Sequence, residues 1–149
     1  MHPDRHAILL ANDEAGAIEF PSDFDEDAAE KRARNLAACL AEQGIPIRFD
    51  DWFHNQDASF GLALIIKSAI KETPRGIIEP TIRISNFGAM AAITFIETLP
   101  NDQKIKIQET LNEHGYTLFC EKELDVPYDG VNAPNQALPT WWARYFDWL

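Results

Sequence analysis

Between Arg5 and Lys31 the chain has no lysine or arginine. Over the whole sequence 13 basic residues stand against 24 acidic ones, a formal net charge of −11. Recognition of a phosphate backbone is thereby excluded as an expectation, because too little positive charge exists to release condensed counterions. Cysteine is nearly absent as well. Cys39 and Cys120 lack the spacing of a zinc, haem or redox pair, and both read as reduced, buried thiols. Apolar runs are short: Leu62–Ile66 is among the longest, well under the about 20 residues that cross a bilayer. The first residues, MHPDRHAILLANDE, hold no apolar core of secretory-leader length. The expectation is a soluble, cytoplasmic protein with no membrane partner.

Catalytic signatures are missing too. There is no G-x-S-x-G, Walker A, G-x-G-x-x-G, H-E-x-x-H or paired C-x-x-C, and none of the four serines sits in an elbow context. Neither a cofactor nor a metal is expected.

What the chain does have is apolar and aromatic material, 46% and 11% of its 149 residues, enough for one globular domain with a real core. The stretch Thr81–Glu97 is its organising element. Ile82 and Ile84 alternate with Thr81, Arg83 and Ser85, and Ala91, Ile93 and Phe95 alternate with Ala92, Thr94 and Ile96. That is the period of two strands, reversed at Asn86-Phe87-Gly88, where glycine accepts the positive φ of a tight turn. The small residues Gly88, Ala89, Ala91 and Ala92 leave room for a closely packed neighbour.

Ser22-Asp23-Phe24-Asp25 supplies capping oxygens and carboxylates for a helix start. Ala29, Ala33, Leu36 and Leu40 continue it with helical spacing, and Gly44 ends it. IPIRFDDWF then reads as a strand. The spacing of Leu62, Ile65, Ile66 and Ile70 predicts a helix over 59–72, a run that also satisfies a strand pattern. Pro100 opens a further helix that Gly115 closes, followed by a strand over 116–124. The segments Leu40–Asp50 and Leu111–Glu121 resemble each other and suggest a weak αβ duplication, with convergence of helix–glycine–strand junctions as the alternative. Residues 1–6 read as a flexible arm, although AILLA within 6–11 also fits a short opening strand. Residues 125–140 read as a long surface loop, and 140–149 as a short aromatic helix. The fold class expected is α/β (α+β): a two-layer sandwich, mixed or antiparallel sheet, helices mainly on one face.

Three sets of residues carry the functional expectations. The acidic stretch 13–30 mixes carboxylates with Phe20 and Phe24, the composition of an interface rim and its anchors. Asp23, Asp25, Glu26 and Asp27 would engage a basic protein partner, with Trp142 and Trp148 of the aromatic terminus as further anchors. This leads to a non-enzymatic acidic binding protein, in concrete form an immunity or antitoxin-type inhibitor of a toxin or nuclease. The alternative is a small metal-dependent hydrolase built on Asp50, Asp51 and His54, helped by Asp125 and Asp129. A third reading is a homodimer joined through Trp148 and Leu149.

Overall fold

A computed structural model describes residues 1–51 and 61–147. The chain runs α1 (Pro3–Ala11), α2 (Glu26–Glu42), β1 (Ile47–Asp51), β2 (Leu62–Ile66), β3 (Lys71–Thr73), β4 (Gly76–Ile78), β5 (Thr81–Ile84), β6 (Met90–Ile93), α3 (Asn101–Glu113), β7 (Thr117–Cys120), α4 (Glu121–Leu124) and α5 (Trp141–Tyr145). Five of the strands form one mixed sheet in the order β1-β2-β5-β6-β7, and β3 pairs with β4 in a separate hairpin. The pairs β1–β2, β2–β5 and β5–β6 are antiparallel, and β6–β7 is parallel.

The organising hairpin is present as β5 and β6, with Ile82 opposite Ile93 and Ile84 opposite Ala91. Ser85 N–H donates to the Met90 carbonyl across the reversal (2.9 Å), and Gly88 sits at φ 60°. Alternation along these strands divides the core in two. Ile82, Ile84, Ala91 and Ile93 face a layer made by Ala33, Leu36 and Leu40 of α2 and Ile107 and Leu111 of α3. Each such fully buried large side chain contributes about 1.5–3 kcal/mol. Met90 and Ala92 point the other way, into a second cluster containing Leu9 of α1, Phe119, Leu124, Tyr128, Leu138, Trp141, Tyr145 and Phe146. The two long helices thus share one face, while α1, α5 and the 124–140 segment cover part of the other.

The two sequence-alike segments end their helices identically. Gly44 and Gly115 have φ 83° and 82°. Ile45 N–H reaches the Leu40 carbonyl (3.0 Å) and Tyr116 N–H that of Leu111 (2.9 Å). Glycine N–H groups bond Ala41 and Asn112 (3.0 Å each), completing two Schellman motifs. Each motif feeds one edge strand of the sheet, β1 and β7.

Three expectations need correcting. The described part of 59–72 is not helix but β2, one 3₁₀ turn at Lys67–Ala69, and β3. All five residues of β2 are buried, so an inner strand buried on both faces carries an unbroken apolar run that helical spacing also fits. The start of the chain is neither arm nor strand. Pro3 opens α1, the His2 side chain accepts from Asp4 N–H, and Leu9 is fully buried. The strand over 116–124 stops at Cys120, where Cys120 and Glu123 form a reciprocal cap for α4.

Candidate functional site

The acidic stretch separates into inward and outward carboxylates. Asp13 turns inward: its Oδ1 accepts from Arg144 Nε (2.8 Å), and its Oδ2 accepts from Tyr128 Oη (2.6 Å) and Val131 N–H (2.8 Å). Both partners of this ion pair are buried, with side-chain exposures of 1% for Asp13 and 0% for Arg144. Arg144 also donates to the carbonyls of Ala17 (2.7 Å) and Ile18 (3.1 Å) and stacks over Phe87. Asn132 donates to the Glu14 carbonyl (3.0 Å). A Cβ on Gly130 would overlap Asp13 Oδ2 and lie 2.5 Å from the Tyr128 ring, so only glycine lets that loop close. This satisfied buried network clasps the 12–19 segment, the 128–132 loop and α5. Burial, then donation to Asp13, pushes the Tyr128 hydroxyl up from its ordinary value.

Beside it, Asp129 Oδ1 accepts from Trp141 Nε1 (3.0 Å) and meets His6 Nε2 (2.9 Å). The His6 contact first, and then the indole, hold its carboxyl below the usual range. Asp129 is therefore engaged in holding α1 to the second face. Asp125 ends α4 as its C-terminal cap.

The outward carboxylates lie at the start of α2. Asp25 caps the helix, its Oδ1 accepting from Ala28 N–H (3.1 Å), while Glu26 and Asp27 occupy the first turn. Asp23, Asp25, Glu26 and Asp27 are all exposed. Phe20 is 41% exposed and stacks on Phe24, with centroids 5.5 Å apart and planes 19° from parallel. Phe24 packs on the first core. Next to the pair is a 340 Å³ cavity lined by Asp23, Phe24, Asp25, Arg32 and Tyr116, with the β5–β6 turn at its side. Phe20, Phe24, Asp23, Asp25, Glu26 and Asp27 thus lie in one region, whereas Trp142, expected as a further anchor of the same interface, does not line this cavity but a different one.

A second acidic cavity was not foreseen. It lies on the second face of the sheet, where the register places Asp50, Ala63, Arg83 and Ala92 in one row across β1, β2, β5 and β6. The groove, about 390 Å³, is lined among the described residues by Asp50, Glu79, Glu121, Asp147 and the cation Arg83, and by Trp142, Phe95 and Ile77. Arg83 Nη1 donates to the Phe146 carbonyl (2.6 Å), and its guanidinium lies over the Trp142 ring, 5.3 Å from the centroid. Burial draws Arg83 down from its ordinary value, opposed by Asp147 and Glu121. An arginine between two inward isoleucines, opposite alanines, was the available sequence signal.

Of the hydrolase triad, Asp50 lines this groove, and Asp51 ends β1. His54 lies outside the described residues, as do Trp148, expected both as a partner anchor and in the homodimer reading, and Leu149. Among the described residues no group of three or more His, Cys, Asp or Glu could hold a metal ion, and no helix is long and apolar enough to cross a membrane. Cys39 and Cys120 are half-buried free thiols rather than fully buried ones.

Searches of protein-family models, of curated proteins and of solved structures found no match.

Proposed function

We propose that this chain is an acidic cytoplasmic binding protein that docks on a basic protein partner through the start of α2, acting sterically in the manner of an immunity or antitoxin-type inhibitor. The observation that supports this reading is the exposed Phe20–Phe24 stack framed by Asp23, Asp25, Glu26 and Asp27 beside a cavity. Aromatic anchors inside a charged rim are the composition of an interface, and carboxylates accelerate encounter with a cationic surface.

The test is affinity capture with wild type and with D23N/D25N/E26Q/D27N at low and moderate salt. Asparagine at 25 keeps an N-capping oxygen, so the variant changes charge while sparing the helix. One basic protein retained stoichiometrically by wild type, released by salt and lost by the variant is the expected result. Equal retention by the variant would remove this surface from the reading.

A further inference from the structure

We infer that the groove on the second face of the sheet is a second docking site for the same class of partner, receiving an arginine-bearing extended segment. This rests on the binding-protein reading and gives it a second point of attachment.

Charge complementarity carries the inference. Among the described residues, Asp50, Glu79, Glu121 and Asp147 line the groove with Arg83. Glu79 is paired with Arg48 (3.2 Å), which leaves an excess of two carboxylates over the two guanidinium groups, and Arg83 itself donates to the Phe146 carbonyl and lies over Trp142. Asp147 and Glu121 are exposed, so the charge lining the groove is net negative among the described residues with Arg83 and Arg48 both counted. The surroundings suit an incoming arginine in two further ways. Trp142 and Phe95 offer aromatic rings, the preferred partners of a guanidinium, and Trp142 already stacks with one. Ile77 and Phe95 are large apolar side chains left 62% and 42% exposed at the groove, positioned to cover the methylene stem of a long basic residue. Ala63 and Ile65 of β2 also line the groove.

The experiment is ¹H–¹⁵N NMR of the full chain at low salt with an acetylated tetra-arginine amide as probe. The expected result is movement of the Trp142 indole N–H and of the Ala63, Ile65 and Thr81 amides. E121Q/D147N should weaken these shifts about ten-fold. Phe95 has a left-handed backbone (φ 54°), so Phe95→Asn removes the ring while suiting that conformation and should weaken them several-fold, and D23N/D25N/E26Q/D27N should leave them in place. Shifts confined to residues 23–27 would overturn the groove and leave the proposed function standing. Response at neither surface would remove both. Groove shifts indifferent to E121Q/D147N, equal binding of spermine, or shifts that grow with protein concentration alone would each overturn the peptide assignment, the last in favour of a second copy of the chain.

Discussion

Asp13 and Arg144 show how far a residue's meaning depends on its neighbours. In sequence Asp13 is one more acid in an acidic run; in the fold it closes an ion pair that water does not reach. Replacing it by alanine leaves a guanidinium buried without its counter-charge, which costs about 3–5 kcal/mol. The double change D13L/R144M removes both charges and should cost clearly less, a difference that urea denaturation of the two variants will show. Asp129 behaves differently because it is exposed and held by donors. Its folded carboxyl, and that of Glu14, which is held by the Ser22 hydroxyl and then by the Ser22 N–H, are depressed below the ordinary 3.8 and 4.5. Each therefore adds stability that is fully present above its unfolded value and is lost as pH falls through its lowered folded value. His6→Ala should move the Asp129 midpoint upward toward the ordinary value in a carboxyl NMR titration, and an unmoved midpoint would refute the assigned cause.

The elements that were legible are those whose signal is local. The α2 cap, both glycine-terminated helices and the β5–β6 reversal each depend on a few adjacent residues, and each stands where the sequence places it. Elements set by distant partners were not legible. β2 is a strand because β1 and β5 flank it, and its five apolar letters say only that it is buried. α1 owes its place to the second core and to a bond from Tyr145 Oη to the Leu9 carbonyl (2.7 Å), 136 positions away along the chain. The candidate site followed the same division. Residues 20–27 are contiguous and were readable, whereas the groove gathers Asp50, Arg83, Glu121 and Trp142 from four separate segments. The 125–140 loop is also less free than its composition implies. Pro127 bridges to Thr140, and Tyr128 and Leu138 are buried. Gly130→Ala should accordingly destabilise more than Gly115→Ala, where a Cβ meets nothing and the positive φ alone costs about 1 kcal/mol. Thermal unfolding of the pair tests this, and equal losses would count against the close packing of the loop.

For the molecule as a whole, a net charge of −11 means that carboxylates repel one another in the compact state. Added salt screens that repulsion over a Debye length of about 10 Å at 0.1 M. The melting temperature should rise by a few degrees from low salt to moderate salt, as scanning calorimetry would record. A fall instead would mean that the surface pairs Arg34–Glu30 and Arg48–Glu79 outweigh the repulsion. The buried pair Asp13–Arg144 spans 131 positions, and this distance orders events in time. The first core, built by α2, α3 and the sheet, contains neither member of the pair, so it can form without that contact. Asp13 must wait for Arg144. A chain in which the pair has not closed would leave Met90, Ala92 and Phe119 without part of their cover, an apolar surface that the closed second cluster takes out of water.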